Sequence, residues 1–358
     1  MMKVCFYLTQ DILDWTIEKR KNFPILPIPG SLTKELSKEN EISFLIKEVS
    51  EKKYKIDNKR YFASFDLMLE KVDVFISIGS SHLKLLKRNF SLKNQRLLRQ
   101  KSLPIIYRNI EKGIHERSLK NRLILSLSRC QIYTSSKQYQ YALENNIGKP
   151  ILLPIGIDLD FYYASKNKSK FLQKIINQKY IIMHGDEERE EDKLIKLASM
   201  LNIGIVRINQ YPYKSKKNLF EIAKSYFDIP FIYNFQNIDF HNYIWLLKNS
   251  TIYAGMVNSK FQPAGWTALC EAIILGIPSI ISNGITSDDY LKSIPKEIQN
   301  QFNLLITNNL NSDSEKIKCF LKDRLKTKKL PAAKGTLLDI NKASEIFYTN
   351  LKSSLEIL

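Results

Sequence analysis

Short apolar runs rich in β-branched residues alternate along the chain with longer stretches whose apolar positions recur every three or four residues. In the first half the short runs are KVCFYL (3–8), DVFISIG (73–79), LPIIYRN (103–109), QIYTSS (131–136) and PILLPIG (150–156). In the second half they are KYIIMHG (179–185), IGIVRIN (203–209), PFIYNF (230–235), STIYAGMV (250–257), PSIISNG (278–284) and FNLLITN (302–308). The helical patterns include EISFLIKEVSEKKY, KQYQYALENN, EDKLIKLASML, DFHNYIWLLKN, WTALCEAIIL, DSEKIKCFLKDRL and NKASEIFYTNLKSSLEI. Near-continuous apolar strands between helices predict parallel sheets covered on both faces. The pattern restarts near Lys179, after the polar stretch ASKNKSKFLQKIINQ. The expectation is an α/β chain of two doubly wound Rossmann-like domains facing across a cleft, residues 1–165 and 166–335. A last helix at 336–358 packs back towards the first domain.

The 358-residue length suits two cores, and the 44% apolar content fills them. No apolar stretch reaches the roughly 18 residues of a membrane span. The N-terminus MMKVCFYLTQD reads as a first strand and not as a signal peptide. Cys5, Cys130, Cys270 and Cys319 are far apart and form no CxxC pair, which points to a reduced, cytoplasmic protein.

The net charge of +19 implies a polyanionic partner, and the excess is concentrated. Thirteen Lys and Arg lie between Lys84 and Arg129, against Glu111 and Glu116. Within it, HLKLLKRNFSLKNQRLLRQK mixes leucines with seven basic residues. That pattern suits a basic amphipathic helix on an anionic membrane surface, or a solvated helix with its leucines in the core. No nucleic-acid recognition motif accompanies the charge, so nucleic acid is not the expected partner. GxGxxG, P-loop, HExxH and GxSxG motifs and Cys/His metal clusters are all missing, and the four histidines are scattered, so no metal is expected.

Residues 261–281 read FQPAGWTALCEAIILGIPSII, with Glu271 as their only charged side chain. A glycine-containing loop leads into a helix start near Trp266, where unpaired N–H groups and the helix dipole attract an anion. Glu271 lies one to two turns further on, and Gly276 and Pro278 end the helix.

Three stretches together resemble the GT-B glycosyltransferases, specifically the retaining group 1 (GT4-like) family that uses nucleotide-sugar donors. In CQIYTSSKQYQYAL and PILLPIGIDLDFY the matching residues are Ser135, Pro154, Gly156, Asp158 and Phe161. DFHNYIWLLKNSTIYAGMV is similar to the helix and strand before the family's donor loop. GWTALCEAIILGIPSI is similar to its G-x-x-x-L-x-E-A-x-x-x-G-x-P-x-I passage. The likeness covers most of residues 130–285.

The resemblance implies a transferase that moves a sugar from a nucleoside-diphosphate sugar to an acceptor hydroxyl, with retention and without a metal or other cofactor. It implies that Glu271 holds the nucleotide ribose and that Gly265, Trp266 and Thr267 line the donor site. Three departures stand out. The glutamate that the family carries eight residues before Glu271 is replaced by Pro263, which leaves Gln262 as the nearby hydrogen-bonding group. In the phosphate loop after Gly185, Asp186 stands where the family has arginine, and Arg189 and Lys193 are the substitute cations, or else surface ion-pair partners. On the acceptor side the family's histidine position falls to Arg108, with His82 the nearest histidine at a strand end. The basic surface would suit a glycan or lipid-linked acceptor, with the protein peripheral on the inner face of a membrane. Two other readings stay open: a catalytically reduced binding or partner subunit on the same scaffold, and a nucleotide-sugar epimerase of similar architecture.

Overall fold

The computed structural model describes residues 2–8, 36, 38, 40–46, 60–61, 71–78, 91–106, 125–164, 172–185, 189–209, 228–236, 238–258, 265–282, 294–306, 309–324 and 333–356. They fall into two compact units. One holds the described residues up to 156 together with 340–356, and the other those from 157 to 339.

The first unit is built on β1 (Lys3–Leu8), β2 (Glu41–Ile46), β3 (Arg60–Tyr61), β4 (Val74–Ile78), α1 (Leu92–Lys101), β5 (Ser102–Ile106), β6 (Gln131–Tyr133), α2 (Ser136–Glu144) and β7 (Pro150–Leu152). Its seven strands are ordered β3-β2-β1-β4-β5-β6-β7, and the pairings are parallel. Alternate strand residues Val4, Phe6, Val74, Ile76, Leu103, Ile105 and Ile132 form one buried cluster. Each such side chain taken from water contributes roughly 1.5–3 kcal/mol, so this cluster dominates the unit's stability. Cys5, Tyr7 and Phe75 are buried on the opposite side of the same strands, as a doubly covered sheet requires.

One sequence expectation fails here. The stretch beginning EISFLI was expected to be helical, but Glu41–Ile46 is a strand in register with β1, from Lys3↔Glu41 to Leu8↔Ile46. A six-residue stretch with four apolar positions satisfies either period, and its neighbour β1 decides the outcome. Within the basic segment, α1 is capped by the Ser91 hydroxyl, which accepts from the Asn94 amide at 3.1 Å. Leu98 turns into the core, while Leu92 is 85% exposed. The rest of that segment, 82–90 and 107–124, lies outside the described residues.

The second unit contains α3 (Leu159–Ala164), α4 (Gln173–Ile176), β8 (Tyr180–His184), α5 (Glu191–Leu201), β9 (Gly204–Asn209), β10 (Ile232–Gln236), α6 (Phe240–Asn249), β11 (Ile252–Gly255), α7 (Trp266–Ile274), β12 (Ser279–Ser282), α8 (Lys296–Phe302), β13 (Asn303–Ile306) and α9 (Leu310–Arg324). Its parallel sheet is ordered β10-β9-β8-β11-β12-β13, so the order reverses between β8 and β11. Ile181, Met183, Ile205, Ile252 and Ala254 face α5 and α9 in one cluster with Leu194, Ile195, Leu197, Ala198 and Ile317. Side chains alternate across a strand, so Tyr180, Ile182, His184 and Tyr253 face the other way. There the Tyr180 hydroxyl donates to the Leu246 carbonyl of α6 at 2.6 Å, and the His184 ring lies 4.5 Å from that of Tyr243.

The last helix, α10 (Ile340–Glu356), belongs to the first unit: Phe347 and Leu351 sit in its buried cluster, and Asn40 donates to the Tyr348 hydroxyl at 3.1 Å.

Candidate functional site

In open doubly wound sheets, ligands bind beyond the carboxyl ends of the strands where the strand order reverses. In the second unit that place is defined by the ends of β8 and β11. The segment after β8 is tied across the gap: Arg189 forms an antiparallel bridge with Val257, and the Glu190 amide donates to the Met256 carbonyl at 3.2 Å. The Gly185 amide donates to the Ile208 carbonyl of β9 at 3.1 Å.

Two left-handed glycines then shape the site. Gly185 has φ +101° and follows β8; Gly265 has φ +80° and is the N-cap of α7. Both conformations are strained for any side chain, and the space is taken as well. A Cβ on Gly185 would lie 2.2 Å from one terminal nitrogen of Arg189, and a Cβ on Gly265 would lie 2.5 Å from the other. The guanidinium is therefore held between the two glycines, against the start of α7. Gly265 leaves that helix without a side-chain cap. A cation and an uncapped helix N-terminus meet at one point, an arrangement that attracts an anion. The Arg189 Nη1 atom is buried and has no hydrogen-bond partner among the described residues.

Two further buried polar atoms on this side share that condition, His184 Nδ1 and the Tyr253 hydroxyl. Burial first, then the charges of Arg189 and Arg207, lower the His184 pKa to about 3, so the imidazole is neutral near pH 7. Burial raises the Tyr253 phenol to about 12, so it stays a hydroxyl donor. Buried polar atoms are nearly always paired, and three orphans of this kind suit a polar ligand.

Arg207 supports the loop from beneath. It is 1% exposed, its Nε donates to Glu191 Oε1 at 3.0 Å, and its Nη1 donates to the Ile208 carbonyl at 2.9 Å. One buried guanidinium thereby ties the first turn of α5 to the end of β9. The Glu191 carboxyl is raised by burial in spite of that partner.

Glu271 lies on α7 and is 3% exposed. One carboxylate oxygen accepts from the Tyr162 hydroxyl of α3 and the other from the Tyr243 hydroxyl of α6. The Asp158 carboxylate accepts from the Phe161 amide at 3.3 Å, which starts α3 and sets Tyr162 one turn along. Phe161 packs edge-on against Tyr162 and rests against His241, each with ring centroids 5.6 Å apart. Burial pushes the Glu271 carboxyl up to about 7, while the two tyrosine bonds pull it down; both phenols are held well above their usual range.

The structure therefore brings Gly185, Arg189, Gly265 and Trp266 together, with Trp266 buried and Thr267 exposed at the start of α7. Lys193 stands apart from this group in its bonding, because its ammonium pairs with Glu190 at 3.0 Å while the other Glu190 oxygen accepts from Ser282. His82, Arg108, Asp186, Gln262 and Pro263 lie outside the described residues. Glu271, which the resemblance assigns to a ribose, has its side chain buried and both oxygens engaged by tyrosines. Tyr162, Tyr243, His184, Tyr253 and Arg207 were not singled out from the sequence. One of them had a signal: an arginine inside the doubly covered strand IGIVRIN marks a buried charge that needs a partner.

Among the described residues no cluster of His, Cys, Asp and Glu could hold a metal ion, and no helix is long and apolar enough to cross a membrane. Cys5, Cys130 and Cys270 are buried free thiols and Cys319 is an exposed one.

Two parallel Rossmann-like sheets in two units are the GT-B fold. The glycosyltransferase AviGT4 of avilamycin A biosynthesis matches with a TM-score of 0.59 at 11% identity, over 100% of this chain and 99% of that one. The UDP-GlcNAc 2-epimerase of Neisseria meningitidis, solved with UDP-GlcNAc bound, matches with a TM-score of 0.52 at 14% identity, over 98% and 100%. The UDP-forming α,α-trehalose-phosphate synthase of Burkholderia vietnamiensis matches with a TM-score of 0.56 at 10% identity, over 100% and 95%. No family model matches the sequence, and no curated protein matches it.

Proposed function

We propose that this protein is a glycosyltransferase that takes a sugar from a nucleoside-diphosphate donor and passes it to an acceptor hydroxyl. The observation that carries the reading is the Arg189 guanidinium, held between Gly185 and Gly265 at the uncapped start of α7, with a buried nitrogen lacking a partner among the described residues. A diphosphate supplies what that group lacks. In the reaction, the bond from the anomeric carbon to the diphosphate oxygen breaks, a bond to the acceptor oxygen forms, and the acceptor's hydroxyl proton passes to the departing diphosphate. Negative charge grows on the departing diphosphate. A preorganised cation and backbone amides stabilise such charge best where water is scarce. Trp266 and Thr267 belong to the same helix start, and Glu271 is assigned to the ribose by the resemblance around it.

Retention of configuration, independence of a metal, and a glycan or lipid-linked acceptor near an anionic membrane surface are parts of the same proposal. They rest on the likeness over residues 130–285 and on the basic segment 84–129. Lys193 is the weaker of the two cation candidates, since Glu190 already neutralises it. The neighbours that are epimerases and those that are transferases share the fold, so the reaction itself has to be measured.

Isothermal titration with UDP, GDP and ADP tests the donor site. One of them binds at micromolar Kd, and Arg189→Met weakens it by about 1.5–3 kcal/mol, the contribution of a charged hydrogen-bonding group, or roughly 10- to 100-fold. Failure of all three to bind overturns the proposal. Incubating the protein with the matching nucleotide-sugar and a glycan or lipid-linked acceptor then separates the reactions: a transferase yields glycosylated acceptor and free nucleoside diphosphate in equal amounts, while an epimerase returns an isomeric nucleotide-sugar.

A further inference from the structure

We propose that Tyr162 and Tyr243 compete with the donor's ribose for Glu271, and so set how the site tells a ribonucleotide from a deoxyribonucleotide. The inference rests on the reading that Glu271 receives the ribose, and goes beyond it. The two carboxylate oxygens each accept from one tyrosine hydroxyl, and those hydroxyls come from different helices, α3 and α6. The Glu271 side chain is buried, with 3% exposure. In the proposed competition a ribose diol takes the same two oxygens by displacing the two phenols, and does not add to the remaining lone pairs beside them. Two hydroxyl–carboxylate bonds are broken and two of the same kind are made, and each displaced phenol, still buried, donates instead to the oxygen of the ribose hydroxyl that replaced it.

This exchange has a consequence for selectivity. Each ribose hydroxyl brings only the difference between its own bond and a phenol's. A 2′-deoxy nucleotide displaces one phenol and leaves the other in place, so every carboxylate oxygen still has a donor. The usual penalty for a missing hydroxyl, a buried acceptor left without a partner, does not arise. With tyrosine present, discrimination is shallow. Replacing either tyrosine by phenylalanine leaves one oxygen unsatisfied in the free protein. The ribose hydroxyl then repairs that oxygen and the deoxy ligand does not. Phenylalanine at either position therefore strengthens ribonucleotide binding and deepens discrimination together. Tyr162→Phe and Tyr243→Phe are near-isosteric, and each deletes a single hydroxyl.

The test is titration of whichever of UDP, GDP and ADP binds most tightly, with its 2′-deoxy and 3′-deoxy counterparts. It is done on the wild type, Tyr162→Phe, Tyr243→Phe and Glu271→Ala. For the wild type the preference for ribose is under about threefold, which needs no variant to fold. Against the larger cost of an unpaired buried acceptor, a Phe variant binds the ribonucleotide about 3- to 10-fold more tightly and prefers it to one deoxy form by more than about tenfold. A wild-type preference above that limit of about threefold, or Phe variants that bind no better or more weakly, overturns the competition. In that case the tyrosines orient the carboxylate, which has lone pairs to accept a ligand beside them. Glu271→Ala that retains wild-type affinity instead overturns the ribose reading itself, and so does a lack of binding by all three diphosphates.

Discussion

The two units share one topology and differ in what they bury. Both are parallel sheets whose order reverses beside their first strand, at β1 and β4 in one and at β8 and β11 in the other. In the first unit the buried polar side chains among the described residues are uncharged, among them Ser77, Ser102, Gln131 and Gln138. In the second they include Arg207, Glu271, Asp313 and Asp339. Taking a charge out of water is costly even when it is paired. The first unit forms the same sheet without that cost in its described part, so the fold does not demand it. Charge in the second unit is best explained by what it positions. Arg207 fixes the turn that presents Arg189, and Glu271 holds two helices by their tyrosines.

The sharpest way to break this comparison is Arg207→Met. Removing one partner of a buried pair strands the other, and about 3–5 kcal/mol of stability should be lost. Urea unfolding followed by tryptophan fluorescence measures it, because Trp245 and Trp266 both lie in the second unit. A loss below about 1 kcal/mol would mean that the charge is not integral to the unit. Next come the two opposed pH dependences. The His184 pKa is depressed to about 3 from 6.5, so its contribution is full above pH 6.5 and is lost as pH falls towards 3. By linkage that slope amounts to about 3 kcal/mol between pH 7 and pH 4, and His184→Phe removes it. Glu271 is raised to about 7 from 4.5, so its contribution is full below pH 4.5 and is lost as pH rises through 7. By linkage that is roughly 2–3 kcal/mol, and Glu271→Gln should flatten it. The smallest effect belongs to the first unit. Ile132→Val in its buried cluster should cost about 0.5–1.5 kcal/mol, with no dependence on pH. A pH-dependent loss there would blur the contrast between the units.

Much of the scaffold was legible in the sequence, because buried parallel strands carry unbroken apolar runs and helices carry their own period. EDKLIKLASML is α5 as written, and FHNYIWLLKN is α6. β2 is a strand where a helix was expected because four apolar residues in a six-residue stretch followed by Lys and Glu fit either period. The two-residue strand β3, Arg60–Tyr61, is too short to show a period at all. At the site, the glycine before Trp266 and the cation at Arg189 were visible as types in a spacing. The partners of Glu271 were not. Tyr162 and Tyr243 are 109 and 28 positions from it, and ordinary tyrosines in apolar helices give no sign that their hydroxyls converge. Tertiary packing alone decides that convergence. Arg207 could have been read, since a lone arginine between Val206 and Ile208 interrupts an apolar run in a buried strand.

The central claim is that Arg189 and the start of α7 receive the diphosphate of a nucleotide. A crystal structure of the protein with its tightest-binding nucleoside diphosphate tests it most directly. The account predicts phosphate oxygens within about 3 Å of Arg189 Nη1 and of the backbone amides that follow Gly265. A nucleotide seated elsewhere, or one whose phosphates leave Arg189 unengaged, would contradict it.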